Sequence, residues 1–257
     1  MLPAVYTAAG LTFFKEKMGT IINTAAVILG ALFGMLLKNG IKQRFNDILM
    51  SALGLATMFI GASGALAGML SVNEGGGLSA GGSMLLVISL ILGSLVGEAL
   101  KIEDRLESLG DLLKRKVKAK GDNRFTEGFV TASLVICVGA MAVVGSLNDG
   151  LTGDYSTLLV KSALDFVIVL IFASAMGIGV MFSALPLAVY QGTITVFAKL
   201  LAPVMTDSLI GNLSYIGSAL IFCVGVNLAF GKKFKTGNML PALLVPVFYE
   251  ITLQFIK

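Results

Sequence analysis

Eight mostly apolar stretches follow one another along the chain with short polar breaks between them. They cover roughly 18–37, 51–71, 83–100, 127–147, 157–178, 182–203, 209–230 and 239–256. About 20 apolar residues in a helix match the thickness of the hydrocarbon core. The pattern therefore predicts an all-α fold, a polytopic membrane helix bundle of about eight transmembrane helices, built as a single transmembrane domain over 18–257. The runs between 157 and 203 are joined only by a short turn near Gly177–Ser183. Two spans, or one span plus a re-entrant element, both fit there. Residues 1–17 are too short to span and lack the basic start of a signal peptide. They are read as an N-terminal extension outside the native chain. Translation is expected to begin at Met18, which opens MGTIINTAAVILGALFG, because codons for Lys15–Glu16–Lys17 can spell a ribosome-binding sequence.

The polar breaks differ in charge. Segment 38–50 holds Lys38, Lys42 and Arg44, segment 101–126 is rich in Lys and Arg, and 231–238 holds Lys232, Lys233 and Lys235. Segments 72–82 and 147–156 contain neither Lys nor Arg. Basic loops stay on the cytoplasmic side. Eight spans place the first, third and seventh connections there together, with both termini outside, whereas seven spans would put GKKFK outside. Within 102–119, Leu106, Leu109, Leu112, Leu113 and Val117 recur at helical spacing among alternating acids and bases. This segment reads as an amphipathic helix on the inner membrane surface or on the protein itself. NEGGGLSAGG (73–82) lacks the lysine of a phosphate-binding loop and reads as a flexible loop.

Composition agrees with the pattern. The chain is 56% hydrophobic and 13% charged, about half the charge of a soluble domain, with a mean hydropathy of +0.91. A soluble fold of 257 residues has too little interior for this much apolar surface, so the lipid bilayer is the first partner implied. The net charge of +4 lies in the connections and is a topology signal, not a nucleic-acid footprint. The chain has no histidine, which excludes histidine triads, His-based zinc sites and histidine proton relays. Cys137 and Cys223 lie inside apolar runs and read as small buried hydrophobes. No metal, no cofactor and no enzymatic activity are expected.

ILGALFGMLLK (28–38) returns as ILGSLVGEALK (91–101). FIGASGAL (59–66) is echoed by CVGAMAVV (137–144), and more weakly by CVGVNLAF (223–230). The repeated unit is a span, an amphipathic segment and a second span, with repeat one at 18–71, repeat two at 83–147 and the remainder at 157–257. Internal repeats are common in transporters. Gly30, Gly34, Gly93 and Gly97 put small residues on one helix face, and Gly61 and Gly139 share the GA pair of the second span. Close helix packing explains them, and a gate at the same glycines is the alternative. The start MGTIINTAAVILGALFG, the LG/GA helices and the ending GNMLPALLVPV (237–247) resemble the bacterial membrane-protein family of unknown function numbered 554, the YdfK/YqgA type. The resemblance covers 18 to about 255. It implies a multi-spanning membrane protein and a candidate transporter, and brings no substrate or functional residue with it.

Ionisable groups inside spans are costly and face a cavity or one another. Lys161 and Asp165 lie four apart on one helix face, either as a self-neutralising pair or as a gate for an ion or solute. Asn23, Lys199 and Glu250 are expected at the same outer half, where the five could line an outward-facing vestibule. Gln191, Thr193, Asn227, Ser63, Ser133 and Ser218 lie deeper and either cross-link helices or line a path. Pro186, Pro203, Pro241 and Pro246 interrupt the sixth and eighth spans. The function expected is a secondary transporter or permease for a small solute or ion in the bacterial inner membrane. The alternatives are a channel-like, often homo-oligomeric pore, and a non-transporting scaffold acting through 102–119.

Overall fold

A computed structural model of the chain describes residues 18–38, 43–72, 76–119 and 122–256. The N-terminal extension read at 1–17 lies outside them. The described residues form α1 (Met18–Lys38), α2 (Gln43–Met69), β1 (Leu70–Val72), β2 (Leu78–Ala80), α3 (Ser83–Leu100), α4 (Ile102–Lys116), α5 (Phe125–Cys137), α6 (Ala140–Thr152) and α7 (Ser156–Met176). A 3-10 turn at Ile178–Ser183 leads into α8 (Ala184–Val196), followed by α9 (Ala198–Leu201) and α10 (Asp207–Phe230). Then come α11 (Thr236–Met239), a 3-10 turn at Leu240–Leu243 and α12 (Leu244–Ile256). The polytopic all-α bundle is what the hydrophobic pattern implies.

Six of these stretches are long and apolar enough to cross a bilayer, and a seventh is α5 with α6, bent by 64° between them. The expected eighth span, 239–256, consists of the second 3-10 turn and the 13-residue α12. The count of eight is thus not reached by continuous long helices. The region 157–203 contains two separate stretches, α7 and Ile178–Val196, rather than one. The glycine-rich loop expected at 73–82 carries β2, which pairs antiparallel with β1. Large apolar side chains such as Leu36, Phe59, Met84, Leu95 and Phe248 point outward, as a lipid-facing surface requires.

Glycines set the closest helix contacts. Gly54, Gly61 and Gly68 recur every seven residues on α2, and a Cβ at each would fall on Ala229, Phe222 and Tyr215 of α10. The reversed order makes this pair antiparallel. Gly30 and Gly34 press on the carbonyls of Phe166 and Leu170 of α7, so α1 and α7 run parallel. Gly93 and Gly97 press on Ala242 and Asn238. The repeated glycine helices thus pack against the second half of the chain, not against each other. Backbones can approach this closely only where side chains are absent, which gives dispersion and weak polar contacts the role that water-driven burial has in soluble cores.

The two segments whose sequences echo each other, 18–71 and 83–147, are built differently. In the first, α2 is unbroken, while in the second the apolar stretch from Phe125 to Thr152 splits at Val138–Gly139. Gly139 was expected to pack helices. It has φ 146, a conformation open to glycine, and nothing lies within 4 Å of where its Cβ would be. It is a break point, not a packing residue.

The contacts also sort the helix ends onto two faces. Gly97 meets Asn238, Gly179 meets Phe125, and Gly54 meets Ala229. These place α4, the start of α5 and the 231–238 connection on one face. Gly19 meets Tyr155 and Leu158, Gly150 meets Thr195, and Thr206 bonds Glu250, all on the opposite face. The described basic connections, from Arg44 to Lys235, gather on the first face. There α4 docks on the protein through Glu103 and Gly110, which are buried, and through Asp111, which accepts a bond from Thr126.

Candidate functional site

A buried polar seam runs between α1, α6, α7 and α8. Its centre is the ion pair between Lys161 Nζ and Asp165 Oδ2, 2.5 Å apart. One helical turn separates the two residues, so α7 alone presents them side by side. Asn23 of α1 donates from Nδ2 to Asp165 Oδ2 at 3.0 Å and to Gln191 Oε1 of α8 at 3.3 Å. Lys161, Asp165, Asn23 and Gln191 are all buried, the last two completely. Charges at such depth persist only when paired and hydrogen-bonded.

The second partner of Lys161 is a main-chain group. Its Nζ donates to the carbonyl of Ile136 at 2.8 Å. Ile136 sits in the last turn of α5, just before the chain becomes extended at Val138 (φ −85, ψ 123). A helix end leaves its last carbonyls without ladder partners, and the negative end of the helix favours a cation. The break in the span therefore creates the acceptor that the ammonium occupies.

Toward the opposite face the seam continues. The hydroxyls of Thr20 and Thr195 lie 3.4 Å apart. Asp149 Oδ2 accepts from the N–H of Gly19 at 3.2 Å, so a fully buried carboxylate caps the start of α1. Four buried polar atoms along the seam have no protein partner: Asn23 Oδ1, Gln191 Nε2, Ser146 Oγ and Asp149 Oδ1. Such atoms are uncommon in native structures, and here they concentrate between the same four helices. On the far side of Cys137–Gly139 a cavity of about 510 Å³ opens, lined by Val143, Tyr190, Leu213, Leu240 and Pro241 among others. It is almost wholly apolar.

The other residues expected at a vestibule lie elsewhere. Lys199 is exposed on α9. Glu250 accepts from Thr206 at 2.9 Å and Ser208 at 3.3 Å, near the start of α10. Asn227 bonds the main chain of Lys233 and Phe234 and shapes the connection after α10. Of the deeper candidates, Ser63, Ser133 and Thr193 bond carbonyls of their own helices. Ser218 lies against Gly64. Asp149, Ser146 and Thr20 were not singled out in the sequence, because each reads as an ordinary helix-end or apolar-run residue.

A second signal also passed unnoticed. Both 3-10 turns and their helices share Gly179/Gly237, Met181/Met239, Ala184/Ala242 and Leu185/Leu243, then Tyr190–Gln191 against Tyr249–Glu250. Each turn is entered under a carboxylate. Ile178 donates its N–H to Asp122 Oδ2 at 3.2 Å, and Gly237 donates to Glu103 Oε2 at 3.0 Å. Gln191 and Glu250 thus hold matching places in two similar segments but meet different partners.

The basic face is tied by ion pairs. Lys232 bridges Glu103 and Glu107 at 2.5 and 2.7 Å, and Lys235 pairs with Glu98 at 2.7 Å. Partial burial pulls the Lys232 ammonium down, but the bonds to Glu103 and Glu107 outweigh it and leave it above the ordinary lysine range. The bond to Glu98 raises Lys235 as well.

Fold and seam together define a multi-pass helical membrane protein with a charged site buried among its helices. The chain belongs to the family described as "Protein of unknown function (DUF554)", whose model matches residues 18–251. It is 34% identical to "Uncharacterized membrane protein YdfK" of Bacillus subtilis (strain 168) over 228 residues, covering 89% of this chain and 93% of that one. It is 32% identical to "Uncharacterized protein YqgA" of Escherichia coli (strain K12) over 232 residues, covering 89% and 94% respectively. No solved structure matches the chain.

Proposed function

We propose that this protein is a secondary transporter or permease for a small solute or ion, and that Lys161, Asp165, Asn23 and Gln191 form its transport site. The observation that carries this reading is the buried Lys161–Asp165 pair held against the freed carbonyl of a broken span. Discontinuous helices at membrane depth commonly bind substrates and coupling ions through their half-helix ends. An apolar site of helix packing would have no use for a charged pair, two amides and four unpartnered polar atoms. The basic face is taken as cytoplasmic. On this reading Asp149 and the Thr20–Thr195 pair lie toward the outside, both chain ends are outside, and the protein belongs to the bacterial inner membrane. No comparable observation favours the channel or scaffold alternatives.

The test is a thermal-shift screen of the purified protein in detergent against a panel of solutes and ions. Gln191→Ala and Asn23→Ala are run beside the wild type. A compound that raises the melting temperature of the wild type but not of either variant supports the site and identifies its class. Equal shifts in all three proteins would remove the site.

A further inference from the structure

We propose that the outer end of the seam is a binding site for one dehydrated, sodium-sized cation, held by Asp149, Ser146, Thr20 and Thr195. The inference deepens the transport reading, on which the ion's coupling role rests. It uses groups separate from the Lys161–Asp165 pair.

Asp149 is the charge that the rest of the seam leaves unbalanced. It is completely buried. Its Oδ2 accepts from the main-chain N–H of Gly19, and the N–H of Thr20 also faces it. Its Oδ1 has no partner. Among the described residues no Lys or Arg pairs with it, and the charged group that acts on it is another acid, Asp154. The ammonium of the seam, Lys161, is already held by Asp165 and the Ile136 carbonyl. Lys161, Asp165 and Asp149 together therefore carry one net negative charge. A single monovalent cation at Asp149 neutralises it, and a buried charge without a counter-charge is what such surroundings penalise most.

Uncharged oxygens gather around the same carboxylate. Ser146 precedes Asp149 by three residues, so both lie on one face of α6, and its completely buried Oγ has no partner either. The hydroxyls of Thr20 and Thr195, from α1 and α8, lie 3.4 Å apart. That is beyond the about 2.5–3.0 Å of a well-made O–H···O bond, so both keep lone pairs to give. Two glycines bring these helices onto α6. A Cβ on Gly19 would come within 3.0 Å of Asp149 Oδ2, and one on Gly150 would strike the carbonyl of Thr195. Thr20 and Thr195 thus flank Asp149 from two helices. Asn23, one turn inward from Thr20, spends its Nδ2 on Asp165 and Gln191, and its unpartnered Oδ1 diverges from both. Carboxylate, hydroxyl and amide oxygens are the ligands of hard cations. A proton on Asp149 serves at most one neighbouring oxygen, whereas a cation serves them all. A divalent ion would leave the seam positively charged, and magnesium sheds its water reluctantly. Backbones drawn this close suit a bare ion, not an organic ammonium.

The test needs no transported solute. Melting of the full chain in detergent is followed as sodium chloride replaces choline chloride at constant ionic strength and pH, with potassium and magnesium chlorides in parallel. Sodium should raise the melting temperature of the wild type saturably, and more than potassium or magnesium does. Asp149→Asn keeps the shape of the side chain and the acceptor for Gly19. It should melt no lower than the wild type in choline, where the wild-type carboxylate stands alone, and should gain nothing from sodium. Ser146→Ala and Thr195→Val should each raise the half-maximal sodium concentration about tenfold, which keeps the test decisive if Asp149→Asn does not fold. Equal or larger shifts with potassium or magnesium would overturn the proposal. So would a sodium shift that Asp149→Asn retains. A sodium response without any hit in the solute screen upholds the cation site and strips it of its coupling role. A solute hit without a sodium response removes the cation site and leaves the transport site standing.

Discussion

Lys161 donates to the main-chain carbonyl of Ile136 at 2.8 Å, and this bond joins an unbroken helix to the end of a broken one. The 2.5 Å contact with Asp165 gives the same ammonium a carboxylate partner on its own helix. The first prediction concerns this pair. Removing one member of a buried ion pair strands the other and costs about 3–5 kcal/mol, whereas replacing both by apolar residues of similar size is near neutral. Asp165→Ala should lower unfolding stability in detergent by that amount, and Lys161→Met/Asp165→Leu should restore most of it. Equal losses in the single and double variants would show that the pair is not coupled.

The α2–α10 contact gives a second prediction. Gly61 lies so close to α10 that any side chain would strike the Phe222 backbone. Gly61→Leu should destabilise by at least the about 1–3 kcal/mol typical of overpacking, seen as a lower denaturation midpoint. Gly211→Leu on α10 is the control, because nothing lies within 4 Å of a Cβ there, and it should be neutral.

The ion pairs on the basic face make the third. Glu98 raises Lys235, and Glu103 with Glu107 raises Lys232 despite partial burial. A lysine whose folded value is raised stabilises fully below its unfolded value, near 10.5, and loses that contribution as pH climbs through the raised one. Glu98→Gln should therefore weaken the fold across neutral pH and flatten its alkaline fall. Both lysines are exposed, so 1 M salt, where the Debye length is about 3 Å, should shrink the difference. A midpoint unaffected by variant and salt would mean that these pairs do not hold the face together.

Orientation can be checked directly. Lys233→Cys and Asp154→Cys, in a chain without native cysteines, should be labelled from opposite sides of sealed vesicles. Lys233→Cys should react from the cytoplasmic side, and Asp154→Cys from the outside. Labelling of both from one side would contradict the grouping of helix ends.

How much of the site was readable depended on spacing. Lys161 and Asp165 stand out because four residues on a helix bring them together whatever else the fold does. Asn23 and Gln191 could be flagged as polar groups at depth, but not as a chain in which Asn23 joins Asp165 to Gln191, since 142 and 168 residues separate the two bonded pairs. Lys199, Glu250 and Asn227 looked equivalent to them and went to other places, because a helix can turn a polar residue toward a loop as easily as toward a core. Asp149 gave no warning, because its role depends on the start of α1 reaching it across 130 residues.

The sequence alone determined the class of this protein. Stretches of about 20 apolar residues must be helices in a bilayer, since no water is present there to satisfy exposed backbone groups. The Lys and Arg between the stretches sort them into two faces by the separate bias that keeps basic loops on the cytoplasmic side. The tertiary structure decided where the spans break and which glycines meet which helix. It made Gly139 a break point and Gly61 a contact, although each stands in a GA pair. It also decided which polar groups share one site. Those outcomes depend on contacts between distant segments, and local hydropathy carries no record of which neighbour a helix face will find.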